Sequence, residues 1–360
     1  MALTGNKGEW SEIYVFLRLL ADGKIFAADD RINRIDDMFF PIIKIIREEN
    51  SGMQYEYIID RENLNIEIYL NDENILQVPI DAFKAEADHL LMEINKPCKS
   101  DGSFGADRTE NFIHNIMINK LKAPSSDKSD INIKIHDVNT GYEKMAGFSI
   151  KSDLGMPPTL LNPGKTTNFI FNVTGLDPKY INEINSIDTR SKIKDRIKKI
   201  KAKGGELSFA FMENDTFCNN LIMIDSQMPV VIACMLFGYY SDNATDCVGL
   251  VNFVRNINPL SFNPDFYVHK VKDLLCAVAL GMTPATRWDG RDEASGGYII
   301  VKTNGDVLAY HIYNRDAFRN YLLNSTRFES PSSTRYNYGK LYMQHDGNIQ
   351  IKLNLQIRFK

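Results

Sequence analysis

An α/β (α+β) fold, with a mixed β-sheet flanked by helices, is predicted by three features of the sequence. Apolar residues recur at helical spacing in "GEWSEIYVFLRLLADG". They alternate with period two through "YEYIID", "NLNIEIYLND" and "ILQVPI", and two more alternating runs, "DINIKIHDV" and "GFSIKS", flank a turn near Gly141. At 360 residues the chain can bury a substantial core, in one large domain or two smaller ones.

The first helix has Gly23 as its stop signal. "MFFPIIKIIREE" predicts a strand or short helix interrupted by Pro41, because proline removes a backbone donor. The three alternating runs predict a meander, and "DAFKAEADHLLMEI" an amphipathic helix with Asp81 positioned to cap it. "KSDGSFGADRTE" predicts a loop and "NFIHNIMINKL" a further helix. The runs around Gly141 pair as a hairpin, and "TNFIFNVTG" follows as a strand. Residues 177 to 280 look mainly helical, including the basic "SKIKDRIKKIKAKGG" and the apolar "MPVVIACMLFGYY". "GGYIIVKTNGDVLAYHIY" predicts a hairpin, since the Asn and Gly of its "TNGD" turn accept positive φ. A helix "RDAFRNYLLN", an Arg- and Ser-rich loop and one terminal strand, "NIQIKLNLQIRF", complete the chain. The expected organisation is a core with helical insertions over 1–280 and a β-rich segment over 281–360, or one continuous domain.

Composition narrows the function. The hydrophobic fraction is 44%, the charged fraction 24% and the net charge −4, so any nucleic-acid contact must come from local basic clusters. "MALTGNKGEWSE" lacks a basic segment followed by an apolar one, and no apolar run approaches the roughly 20 residues that span a bilayer; a cytoplasmic protein without a membrane partner is expected. Cys98, Cys218, Cys234, Cys247 and Cys276 are widely spaced and include no CxxC pair, which argues against a disulfide framework or a zinc knuckle. His269, His311 and His345 are isolated, which points to structural or surface roles rather than ligation. "TLLNPGKTTNF" resembles the end of a phosphate loop but has Thr159 where a Walker A motif needs glycine.

The candidate chemistry starts in the hairpin. Asp137 shares the parity of Ile131, Ile133 and Ile135, which sets its carboxylate at the edge of an apolar face, a costly place for a charge without a partner. On the next strand Ser149 and Lys151 share one face. If that face meets Asp137, a carboxylate, a hydroxyl and an ammonium converge; otherwise Asp137 caps a turn and Lys151 reaches solvent. One carboxylate is a poor site for a hard divalent ion, so a second acid is needed. In the first helix Ile13, Phe16, Leu17, Leu19 and Leu20 form an apolar arc, with Ser11, Tyr14 and Arg18 opposite, and Glu9 and Glu12 fall within that arc one turn apart. Acids in a first turn also compensate the helix dipole, but that does not explain why both lie on the buried stripe.

"GNKGEWSEIYVFLRLLADGKIFAAD", "GFSIKSDLGMPPTLLNPGKTTNFIF", "GGYIIVKTNGDVLAYHIYNRDAFRNYLL" and "NLQIRF" resemble, in this order and across nearly the whole chain, HpaII-type type II restriction endonucleases. The resemblance implies a PD-(D/E)XK core, in which a hairpin carries acids and a lysine and a preceding helix often adds a glutamate. It puts Asp137 at the first acidic position, with His136 where the motif has proline, and Lys151 at the lysine position. Ser149 stands where the second acid belongs, which makes Glu9 or Glu12 the natural replacement. The implied activity is Mg²⁺-dependent hydrolysis of phosphodiester bonds in double-stranded DNA at a short palindrome, CCGG, by a homodimer on DNA, with a companion DNA methyltransferase. A binding protein that has lost catalysis, prompted by Ser149, and a structure-specific repair nuclease remain as alternatives.

Candidate DNA contacts are Lys165, and Arg327, Arg335 and Lys340 in the Ser-rich C-terminal loop, where Tyr336 and Tyr338 add aromatic rings. In the last strand Leu353, Leu355, Ile357 and Phe359 share one face, leaving Asn354, Gln356 and Arg358 on the other; these are side-chain types that make bidentate contacts with bases. The basic "SKIKDRIKKIKAK" reads either as a backbone-neutralising patch or as a solvated helix face.

Overall fold

A computed structural model describes residues 2–50, 52–96, 102–122, 129–138, 141, 143–311 and 315–360. Cys98, part of the loop expected at 99–110 and part of the turn around Gly141 lie outside them. The chain forms two compact units, Met1–Pro157 with Asp292–Tyr321, and Pro158–Arg291 with Leu322–Lys360. The expected boundary at 280 is therefore not where the chain divides. The hairpin after it completes a sheet begun in the first 152 residues, while the terminal strands pair with Asn168–Thr174 and its neighbours.

The first unit is built on a nine-stranded mixed sheet in the order Lys24–Ala28, Val307–His311, Gly297–Val301, Glu143–Ser152, Ile131–His136, Arg34–Asn50, Met53–Asp60, Asn65–Leu70 and Glu73–Pro79. Gly297–Val301 runs parallel to Glu143–Ser152 and Val307–His311 parallel to Lys24–Ala28; the other neighbours are antiparallel. Lys24–Ala28 also pairs with Arg34–Asn50, closing six strands into a ring. Pro41 does not interrupt Arg34–Asn50 as expected. It sits where the strand changes partner, opposite Lys24, with Ile42 already opposite Ile135, so the missing donor falls at a break in the ladder.

The first helix, Lys7–Asp22, begins in a capping box: Asn6 accepts from the Glu9 amide at 3.0 Å, and the Glu9 carboxylate accepts from the Asn6 amide at 2.8 Å. It ends at Gly23, whose φ of 64° is the left-handed conformation that glycine adopts without cost. Ser11 and Tyr14, expected opposite the apolar arc, are buried as well. Each has a partner: the Ser11 hydroxyl meets that of Ser152 at 2.8 Å, and the Tyr14 hydroxyl donates to the Gly305 carbonyl at 2.6 Å. Helix Ile80–Asn95 starts after Pro79 without a side-chain cap, so Asp81 lies in the first turn rather than capping it.

In the second unit a four-stranded antiparallel sheet, Glu206–Met212, Asn168–Thr174, Ile349–Asn354 and Leu341–Met343, adjoins helices that include Met228–Tyr240. Residues 177–280 are mainly helical as expected, with the strand Glu206–Met212 set among the helices. The expected terminal strand breaks after Asn354, and Ile357–Phe359 joins a separate three-stranded sheet with Thr159–Leu161 and Thr326–Phe328. No single described helix is long and apolar enough to cross a membrane, and Cys218, Cys234, Cys247 and Cys276 are not in disulfides.

Gly305 anchors the first helix to the hairpin, at a φ of 90°. A Cβ there would stand 2.4 Å from Leu91 Cδ2 and 2.9 Å from the Tyr14 hydroxyl. Gly305→Ala is expected to destabilise the fold by about 2 kcal/mol or more, from backbone strain and overpacking together, measured by denaturant unfolding.

Candidate active site

Register decides which acid meets Lys151. Ile131 stands opposite Phe148 and His136 opposite Glu143, with no shift between them, and the Asp130 amide extends the ladder to the Phe148 carbonyl at 2.8 Å. Opposed residues of an antiparallel pair point to the same side, so Asp130 shares a face with Ser149 and Lys151, whereas Asp137 has the parity of the opposite face. Asp137 also lies seven residues along the strand from Asp130, roughly 20 Å at the rise of an extended chain. Its burial matches its parity with the isoleucines, but Asp137 is not the acid beside Lys151.

Asp130 holds that place. Its Oδ2 accepts from the Ile150 amide at 2.7 Å and from the Ser149 hydroxyl at 3.1 Å. Lys151 Nζ donates to Ser149 Oγ at 3.1 Å and lies 5.4 Å from the centroid of the Tyr298 ring. Ser149 thus links acid and ammonium and stands in the position expected of a second acid. Tyr298 faces Ser149 across the parallel pair, so that strand forms a wall of the site.

The helix supplies the second carboxylate. Glu9 is engaged at both oxygens, through the capping box and through Lys122 at 3.5 Å, so it is not part of the Lys151 group. Glu12, one turn further in, is coupled electrostatically to both Asp130 and Lys151. The Ser11–Ser152 contact ties its turn of helix to the strand end beside Lys151. Burial, and then the charge of Asp130, push the Glu12 carboxyl up to about 8, against the opposing pull of Lys122, Arg47 and Lys151. Burial also lowers the Lys151 ammonium, partly countered by Asp130 and Glu12.

Among the described residues no group of three or more His, Cys, Asp or Glu side chains could hold a metal ion. Two carboxylates suffice for magnesium, a hard ion commonly bound by one or two carboxylates with water and substrate phosphate completing its shell. Glu12 and Asp130 fit that donor set, and their mutual repulsion in a partly desolvated place is what a divalent cation would relieve.

The expected DNA contacts all fall in the second unit, and the Lys151 group in the first. Lys165 is exposed at the start of a short 3₁₀ turn. Arg335 is exposed with its guanidinium 5.5 Å from the Tyr336 ring centroid, and Lys340 is exposed nearby in sequence. Arg327 and Arg358 both approach Glu329, at 3.5 and 3.0 Å, and Gln356 is half-buried where the terminal strands separate. Asn354 is a correction: it is buried, and its Nδ2 donates to the Gly164 carbonyl and to Asn168 Oδ1, both at 2.7 Å, so it fastens the sheet rather than facing a base. The basic helix Lys192–Ala202 has most of its lysines engaged, with Lys194 and Lys198 on Asp242, Lys199 on Glu183 and Lys192 on Asp188.

Asp130 does not stand out in the sequence. Its signal was parity: taking Ile131 and Phe148 as a core pair puts residue 130, not 137, on the side of Ser149 and Lys151.

A profile of the HpaII restriction endonuclease matches residues 6–359. The type II restriction enzyme HpaII of Haemophilus parainfluenzae is 41% identical over 361 residues, covering 99% of this chain and 98% of that enzyme. No solved structure matches the chain. On a likeness that runs from the capped first helix to the last strand, the chain belongs to the HpaII restriction endonuclease family, whose members are type II site-specific deoxyribonucleases.

Proposed function

We propose that the protein hydrolyses double-stranded DNA with Mg²⁺ at a short palindrome, CCGG, using a PD-(D/E)XK-type site made of Glu12, Asp130, Ser149 and Lys151. The observation that carries this reading is the Asp130–Ser149–Lys151 chain of contacts on one sheet face, with Glu12 coupled to it from the helix. Glu12 and Asp130 would hold the ion. When bound, Mg²⁺ lowers the pKa of a water and neutralises charge on the phosphate. Lys151 places a positive charge where negative charge develops on the phosphate oxygens, in a partly buried setting that strengthens the interaction. Ser149 hydrogen-bonds both Asp130 and Lys151 and orients them; attack by water needs no covalent intermediate and is the simplest chemistry. A palindromic target calls for a symmetric assembly on DNA, and a protective methyltransferase in the same cytoplasm completes the role.

Digestion of a plasmid of known sequence, with the ends mapped, tests activity and specificity together. Discrete fragments with ends at CCGG are expected in Mg²⁺ and none in chelator; a smear, or ends at unrelated sequences, contradicts the assignment.

Single-turnover cleavage of a linear duplex tests the residues. Glu12→Gln, Asp130→Asn and Lys151→Ala are each expected to slow cleavage by about 10²-fold or more, the usual scale for losing a group that stabilises transition-state charge. Asp137→Asn and Glu9→Gln should stay within several-fold of wild type. A severe loss in Asp137→Asn with normal rates in Asp130→Asn would reverse the assignment of the first acid.

A further inference from the structure

A net charge of −4 leaves DNA-backbone contact to local clusters. The obvious cluster, the basic helix Lys192–Ala202, has most of its lysines neutralised by acids of its own unit. Beside that helix lies a cavity of about 790 Å³ whose charged lining is Lys192, Arg196, Lys340 and Lys352 against one carboxylate, Asp188. Two of these cations are paired with carboxylates: Lys352 with Glu213, and Lys192 with Asp188, whose side chain is 80% exposed, so that surface pair is easily exchanged for another anion.

Arg196 frames the cavity. It is buried, and its guanidinium donates to the Gly339 carbonyl at 2.6 Å, to Asn185 at 2.9 Å and to Ile187 at 2.7 Å, which fastens two separate segments. Gly339 has a φ of 80°, and a Cβ there would stand 2.7 Å from Ile193 Cγ1, so its backbone packs directly on the helix. Its amide donates to the Lys352 carbonyl at 2.8 Å, and Leu341 is bonded through both its amide and its carbonyl to the Asn185 side chain at 2.8 Å. Lys340, between these two fastened residues, is exposed on the cavity wall, with Asp188 as its acidic neighbour. Its backbone is fixed while its ammonium reaches solvent, an arrangement suited to meeting an oxyanion as a point charge.

We infer that this cleft of the second unit binds a phosphate of the DNA backbone, with Lys340 as the contacting residue and Arg196 as the residue that positions its loop. The inference rests on the DNA-cutting function above and adds where the backbone is held. It makes Lys340 a contributor to affinity rather than to sequence choice, because phosphate contacts carry no base information.

The test uses the full chain carrying Lys151→Ala in chelator, so that the DNA stays intact, and duplexes with and without CCGG, titrated by fluorescence anisotropy at several salt concentrations. Adding Lys340→Ala should weaken binding of both duplexes by the same several-fold factor and reduce the slope of log K against log salt by about 0.9, the value for one lost phosphate contact. Lys340→Glu should weaken it further and Lys340→Arg should restore it, with unfolding midpoints unchanged in all three. Unchanged affinity and slope in Lys340→Ala, or a loss confined to the CCGG duplex, overturns the inference. Plasmid cleavage by wild-type protein separates the two claims: if it cuts at discrete sites while Lys340→Ala binds normally, the cleft assignment fails and the nuclease assignment stands.

Discussion

The pairing of Ile131 with Phe148 is the constraint on which the site depends. It is held by apolar packing, with Ile131, Ile133 and Ile135 on one strand and Ala146, Phe148 and Ile150 on the other all buried. Gly147 enforces it from the other face, where a Cβ would stand 2.8 Å from the Ser129 Cβ and 3.0 Å from Asn132 Oδ1. A slip of one residue would turn the strand's isoleucines outward and carry Asp130 away from Ser149 and Lys151. The same burial that stabilises the sheet therefore sets the chemistry on its opposite face, where it brings carboxylate, hydroxyl and ammonium together.

Glu12 is the costly member. A helix buried nearly all round has little room for a charge, and two hydroxyls, Ser11 and Tyr14, tie it to the sheet and the hairpin. Those ties fix the turn that carries Glu12, while the capping box uses Glu9 to satisfy the helix end. Two glutamates one turn apart thus do different work: one stabilises the helix terminus and the other places an acid close to Asp130, in opposition to stability. Three cations, Lys122, Arg47 and Lys151, offset the burial and that repulsion incompletely, and a bound cation would supply the missing counter-charge.

Much of the first unit was legible in sequence. The first helix and its glycine stop, the meander, the Asp130–Ser152 hairpin and the Gly297–His311 hairpin each carry strong periodicity in short segments. Pro41 misled because a proline argues against a strand only where its amide is needed. Asp137 stands out by parity, but parity says which residues share a face of one strand, not which faces meet across a hairpin; that requires the register. Glu9 and Glu12 looked equivalent on a helical wheel, since the capping box depends on Asn6, outside the projected face. In the terminal segment, alternation continues from Ile349 to Phe359 although the chain changes sheets after Asn354, so polar residues with one parity meet different surroundings, and Asn354 ends in the interior. The cleft beside Arg196 was not legible at all, because it joins residues more than 140 positions apart through backbone carbonyls.

The cost of burying the Glu12 charge, to which Asp130 adds, can be measured in the metal-free protein. Glu12 titrates near 8 when folded and near the ordinary carboxylate value when unfolded, so the unfolded chain releases this proton first as pH rises. Wild type should therefore bear no penalty from Glu12 below about pH 4.5, a growing one between there and about pH 8, and a constant one above. The decisive comparison is the unfolding midpoint of wild type and Glu12→Gln in chelator across that range. The two should coincide near pH 4.5, with Glu12→Gln increasingly more stable toward pH 8, by a few degrees or more. A Glu12→Gln protein no more stable than wild type at pH 8 would contradict the account, because Glu12 would then not carry its charge in a buried site.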